Sequence, residues 1–282
     1  MSLKGHPIRV VERHRTEVDG RDDLLSDLFS AETSIVLIRD VFPKAVMASA
    51  VQNLAAPALH KQWVSPNQGM VGGEIRTVGA AATPTFTSFS GPSVTDYRAS
   101  QRTHAAFTQS VFDQTSPTTV VSELFSDLYA GRPAHPATFA SGEPWLPYNY
   151  RALDQGQQIY PHHDNHYRLS IYEGFDAHLD RTVILSWFTL LQPAERGGDL
   201  IVYGLWGSDP DPPMLPTRFL DTRVLERDYR RFTVPMQSGD VVIFNSGCHV
   251  HRVSEVETQQ SRMTMGGFAT VDVARSHLAF WS

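Results

Sequence analysis

Cysteine occurs once in 282 residues, at Cys248. A lone thiol excludes an internal disulfide framework and a thiolate zinc cluster, and its default role is a buried, inert side chain. Long apolar runs are missing as well. No stretch reaches the about 18 consecutive apolar residues that a membrane span needs. The opening residues MSLKGHPIRVVERH carry no apolar segment of the secretory kind. The expectation is a cytoplasmic protein without membrane contact. A basic surplus is also absent: 24 Lys and Arg against 30 Asp and Glu leave a net charge of -6. That balance argues against a sequence-independent grip on phosphate backbones and sets nucleic acid aside as a partner.

What is present is the composition of a globular chain, 41% apolar and 10% aromatic, enough to bury a full core. The first half carries helical periodicity. From Phe42 to Leu59 the apolar positions Val46, Met47, Ala50, Val51, Leu54 and Ala55 recur three and four apart behind Pro43, which predicts an amphipathic helix. Further helices are predicted over Gln101 to Phe112 and Pro117 to Tyr129, the latter stopped by Gly131-Arg132-Pro133. Ser34 to Ile38 reads as a short strand. Gly69 to Pro92, rich in Gly, Ala, Thr, Ser and Pro, is too long for a plain connector and is either a lid or a disordered surface loop.

From about Tyr148 the texture changes to short β-branched and aromatic runs separated by Gly, Pro and Asp. Strands are predicted over Tyr148–Leu153, Gln157–His162, Arg181–Leu191, Asp199–Tyr203, Arg231–Val234, Asp240–Phe244, His249–Val256 and Arg262–Val271. So many closely spaced strands suggest a double-sheet jelly roll with the N-terminal helices covering one sheet. Neither a linker nor an internal repeat is visible. One domain is therefore expected over residues 1–282, helical to about 147 and jelly roll from about 148.

Five of the twelve histidines fall in two clusters, His162-His163-Asp164-Asn165-His166 and His249-Val250-His251. Residues two apart on a strand share a face, roughly 6 to 7 Å apart. His162 and Asp164 can then converge on one ion while His163 points away. The second cluster supplies a further imidazole from His249 or His251, which also share a face. Two imidazoles and one carboxylate leave three positions open on the metal, a set that suits non-haem iron(II) oxygenases. Downstream, Arg262 and Thr264 would share one face of a strand, and a guanidinium beside a hydroxyl is a good receptor for the distal carboxylate of a dicarboxylate.

The order His162-x-Asp164, Ser238-Gly239-Asp240-Val241-Val242-Ile243-Phe244, His251-Arg252-Val253-Ser254-Glu255-Val256 and Arg262-x-Thr264 resembles the iron(II)/2-oxoglutarate-dependent dioxygenase superfamily. More narrowly, it is similar to the branch holding free-standing alkaloid halogenases and N-acyl amino-acid hydroxylases. Ile38-Arg39-Asp40-Val41-Phe42-Pro43, Gly197-Gly198-Asp199-Leu200-Ile201-Val202-Tyr203 and the closing Phe280-Trp281-Ser282 extend the likeness over nearly the whole chain. The resemblance implies the double-stranded β-helix (cupin-like jelly roll) fold, iron(II) on His162, Asp164 and His251, and 2-oxoglutarate chelating that iron. It places the far carboxylate of the co-substrate on Arg262 and Thr264. Of the two histidines in the second cluster it selects His251, by the interval to the arginine. Dioxygen and 2-oxoglutarate would then yield succinate, carbon dioxide and an oxygenated product. The halogenases have Gly or Ala where this chain has Asp164, so the resemblance implies hydroxylation of a small molecule such as an amino-acid derivative or secondary metabolite.

Around this set, Arg151, His163, His166, Tyr167, Trp187 and His249 are candidate substrate-pocket residues by strand position, with core, surface or edge placement as the plain alternative for each. Two rival functions stand beside the hydroxylase: a cupin-type metal enzyme that uses no 2-oxoacid, and a non-catalytic jelly-roll binding module. A homodimer is the default assembly of a soluble enzyme.

Overall fold

The computed structural model describes residues 3–63, 71–72, 75–79, 94–164 and 167–282. In chain order the first half holds β1 (Val10–His14), α1 (Leu24–Phe29), β2 (Ile35–Arg39), α2 (Lys44–Leu54), α3 (Pro57–His60), β3 (Val71–Gly72), β4 (Arg76–Val78), α4 (Val94–Phe112), α5 (Pro117–Leu128) and β5 (Ala134–Pro136). The second half holds β6 (Asn149–Leu153), β7 (Gln158–His162), β8 (Leu185–Gln192), β9 (Leu200–Trp206), α6 (Thr222–Asp228), β10 (Arg231–Thr233), β11 (Val241–Phe244), β12 (His249–Val253), β13 (Arg262–Val271) and β14 (Leu278–Trp281).

The strands form two sheets. The larger runs β1-β2-β11-β8-β13-β14-β5, with β6 also pairing β13 and carrying β4 at its far edge; the smaller runs β10-β9-β12-β7-β3. The long strand β13 divides its outer edge, Arg262 to Gly266 pairing β6 and Phe268 to Val271 pairing β14, while its other edge is taken by β8. This is the jelly roll expected from strand spacing.

Alternation along the strands builds two cores. Ile35 and Leu37 of β2 and Val242 and Phe244 of β11 pack between the sheets against Leu200, Val202 and Val234. Their neighbours Val36, Ile38, Val241 and Ile243 face the other way, into a helix-side core with Met47, Ala50, Leu54, Phe107, Leu124 and Phe125. The helices thus cover one face of the larger sheet and leave its other face to the site. Among the described residues, no helix is long and apolar enough to cross a membrane.

Several expected elements have different bounds. The helix over Phe42 to Leu59 is two helices, because Pro57 forces Ala56 into an extended conformation at φ -62, ψ 138. The helix expected from Gln101 begins at Val94. The strand expected from Arg181 starts at Leu185, since the Asp180 carboxylate accepts from the Thr182 N–H and hydroxyl and holds a turn there. The strand from His249 ends at Val253 rather than Val256. The short α6 was not expected; Asp221 caps it by accepting from the N–H groups of Arg223 and Val224. Within Gly69 to Pro92, β3 and β4 are strands, Ile75 and Gly79 flank β4, and the remaining residues, with the lid reading, lie outside the described residues.

Candidate metal centre

Strand β7 ends at His162, directly opposite His251 of β12. The pairing slips by one residue just beyond, Val253 facing Ile159, a bulge that spends one extra residue on β7. Asp164 follows the strand rather than belonging to it. Its place comes from its N–H, which donates to the Ser246 carbonyl at 2.9 Å, and from the Ser186 hydroxyl, which donates to Oδ2 at 2.6 Å. Strand alternation was therefore the wrong reason for a right neighbourhood.

His162, Asp164 and His251 bring one donor atom each to within 4.8 Å of one another. Nε2 of His162 lies 3.8 Å from Oδ1 of Asp164, and Nε2 of His251 lies 3.8 Å from Oδ2. Each imidazole is oriented from behind. Nδ1 of His162 is 2.7 Å from the Tyr160 carbonyl, and Nδ1 of His251 is 3.0 Å from the His249 carbonyl. A carbonyl only accepts, so Nδ1 carries the hydrogen in both rings and both Nε2 lone pairs point to the shared centre. Phe244 packs edge-on against His251 at 4.8 Å and fixes its rotation. A divalent ion with nitrogen and oxygen donors on one side fits this set, and iron(II) is the ion such a face suits.

His249 is buried but lies outside the set. The pairing of β12 with β9 shifts between His249 and His251, Nδ1 of His249 lies 3.0 Å from the Tyr203 carbonyl, and its ring meets Trp206 edge-on. Burial lowers its pKa, so it stays neutral.

On the larger sheet, Arg262 pairs with Leu153 and Thr264 with Arg151. All four residues share the face toward the metal donors, because directly opposed residues of neighbouring strands point the same way. Arg262 is 5% exposed, and its guanidinium lies over the Phe188 ring at 5.0 Å. No carboxylate lies within ion-pair distance of it among the described residues. Burial pulls its pKa down to about 10, against the opposing charge of Asp199, so it remains a cation at neutral pH. A cation buried beside a hydroxyl and without a carboxylate of its own can receive the carboxylate of a small organic acid.

The other candidates divide. Arg151 faces this space, with burial lowering its pKa and the charge of Asp164 raising it. The His163 ring lies against Gly207, where a Cβ would come within 2.5 Å of it. Tyr167 donates to the Val183 carbonyl at 2.9 Å and packs on Tyr172, Phe175 and Trp281, in an aromatic cluster beside the site. Trp187 is a correction: it points to the helix side, edge-on to Phe125 at 5.5 Å, and its neighbours Ser186 and Phe188 take the inner face instead. His166 lies outside the described residues. Sequence reading missed Ser186 and Phe188, although moving the phase of that strand by one residue would have found both.

A profile of the family described as carrier-protein-independent halogenase WelO5 matches residues 7–282. Among curated proteins none matches. Among solved structures, the N-substituted L-amino acid dioxygenase from Burkholderia ambifaria AMMD is similar at 14% identity and TM-score 0.53, over 92% of this chain and 90% of that one. The epimerase SnoN, solved in complex with Fe3+, alpha ketoglutarate and nogalamycin RO, is similar at 16% identity and TM-score 0.50, over 92% and 86%. With the matched profile spanning nearly every residue, the chain belongs to the carrier-protein-independent halogenase family.

Proposed function

We propose that this protein is an iron(II)- and 2-oxoglutarate-dependent hydroxylase of an unactivated C–H bond in a free small molecule. Asp164 carries the reading. In a halogenase the third protein donor is missing and halide takes its position; here a buried carboxylate fills it, held by Ser186 and aimed at both imidazoles. When bound, iron with 2-oxoglutarate and dioxygen supplies the oxidant, and one substrate C–H becomes C–OH as 2-oxoglutarate becomes succinate and carbon dioxide. The protein's own residues do the rest. His162, Asp164 and His251 would hold the ion on one side, Arg262 with Thr264 would fix the far carboxylate of the co-substrate, and Phe188 and Phe244 would keep that space apolar.

The test is an anaerobic titration of iron(II) and 2-oxoglutarate, read by the metal-to-ligand charge-transfer band, followed by a succinate-release screen over amino-acid derivatives with analysis of the products. A charge-transfer band and succinate coupled to hydroxylated product are expected. Chlorinated product would return the chain to the activity of its family's name. Turnover unchanged by Arg262→Ala would favour a cupin-type enzyme without a 2-oxoacid, and the lack of any stoichiometric ion would leave only a binding module.

A further inference from the structure

We infer that Arg151 is the seat of a carboxylate carried by the substrate, so that the site takes an organic anion in preference to a neutral molecule of the same shape. This rests on the hydroxylase reading above and narrows its substrate class.

The argument begins with how this chain treats its other arginines. Arg15, Arg39, Arg76, Arg98, Arg132 and Arg252 are partly buried, and each has a carboxylate in ion-pair contact. Among the described residues that are not exposed, Arg151 and Arg262 are the two arginines without one. Burying a guanidinium is costly unless an anion answers it, and Nε of Arg151 is buried with no hydrogen-bond partner. Both arginines sit on the face that meets the metal donors, one on β6 and one on β13, and their charges repel across the strands.

Each available anion is then accounted for. Asp199 acts on Arg262, not on Arg151. The carboxylate whose charge does act on Arg151 is Asp164, and that charge belongs to the divalent ion once bound. Of the two carboxylates of 2-oxoglutarate, the distal one answers Arg262 and the near one ligates the metal. Arg151 is therefore left with a positive charge facing the reaction space that no protein carboxylate answers by ion pair among the described residues. A substrate carboxylate would supply the missing charge and, through a bidentate contact, fix the angle at which the C–H bond meets the metal.

The experiment uses full-length protein loaded with manganese(II) and N-oxalylglycine, a redox-inert mimic of 2-oxoglutarate, and titrates benzoate and benzamide as matched charged and neutral probes by calorimetry. Wild type is expected to bind benzoate at least tenfold more tightly than benzamide. Arg151→Gln should abolish that preference while binding N-oxalylglycine within threefold of wild type, and Arg151→Lys should retain part of it. Equal binding of the two probes by wild type overturns the proposal. So does a tenfold loss of N-oxalylglycine affinity in Arg151→Gln, which would assign Arg151 to the co-substrate instead. Failure of wild type to bind N-oxalylglycine at all refutes the oxygenase reading itself, and the substrate claim with it.

Discussion

Ser186 donates a 2.6 Å hydrogen bond to Oδ2 of Asp164 with both groups buried, joining the larger sheet to the carboxylate of the His162–Asp164–His251 cluster. The bond occupies one lone pair of one carboxylate oxygen and so limits how the carboxylate can turn toward an ion. Partners of this kind contribute roughly 10- to 100-fold to metal affinity. Ser186→Ala should therefore weaken iron(II) binding by about tenfold in an anaerobic titration with a competing chelator, with little change in melting temperature of the metal-free protein. Unchanged affinity would make the bond incidental.

Removing the carboxylate altogether asks what else can fill its position. Asp164→Gly should lose most hydroxylation and open a coordination position facing Ser186. Adding chloride should then shift the iron(II)–2-oxoglutarate charge-transfer band in the variant and leave wild type unmoved. Hydroxylation retained at the wild-type rate would show that Asp164 is not a ligand.

The cluster that the structure brings together, His162, Asp164 and His251, was legible in the sequence because its signal is chemical and local: two short stretches rich in His, one with a carboxylate two residues away. Arg262 was legible for a similar reason, as a charged residue on a strand of otherwise apolar and small residues. What the sequence did not show was parity. A shift of one residue turns a whole strand over, which is why Trp187 was offered as a pocket candidate beside its core reading and Ser186 was overlooked. Bulges had the same effect: strict alternation makes His249 the equal of His251, and only the slipped pairing with β9 separates them. Helix limits failed where no local signal marks them. The first turns of α4 precede its clear periodicity, whereas the break at Pro57 was written in the sequence and read too lightly.

Trp187 supplies a test of that correction. It is 1% exposed and edge-on to Phe125, Tyr148 and Phe280, so it anchors the larger sheet to α5. Trp187→Ala should cost about 3–5 kcal/mol in urea unfolding, yet leave the iron(II) affinity of the folded protein within threefold. A residue lining the cavity would show the reverse pattern, a small loss of stability and a large change in binding.

His104 on α4 gives a pH dependence. It is 5% exposed, its Nε2 has no hydrogen-bond partner, and burial lowers its pKa from 6.5 to about 4. As pH falls below 6.5 the unfolded chain takes up a proton that the native ring refuses until about pH 4. The unfolded state therefore binds more protons across that window, and stability is lost as pH falls through it. The loss from this ring between pH 7 and pH 5 should be about 2 kcal/mol. Urea unfolding at the two pH values should show a smaller acid penalty in His104→Gln than in wild type; equal penalties would locate the acid sensitivity elsewhere.

Gly198 bears on Arg262 and so, under the proposed function, on the co-substrate. It has φ +70, and a Cβ there would lie 2.9 Å from Cδ of Arg262 and 3.3 Å from Val256. The Gly197-Gly198 turn ahead of β9 thus shapes the path along which the arginine stem lies. Gly198→Ala pays twice: about 1–2 kcal/mol for an L-residue in the left-handed region, and a displacement of the guanidinium. The first cost is global and is read as a lower melting temperature. The second is specific and should weaken 2-oxoglutarate binding several-fold while iron(II) binding stays at the wild-type value, since His162, Asp164 and His251 do not touch the turn. Comparing 2-oxoglutarate with 2-oxoadipate separates the two effects, because moving the anchor alters the ratio of the two affinities and simple destabilisation does not. A ratio identical to that of wild type would mean that the stem adjusts around the methyl group and that Gly198 serves only the turn.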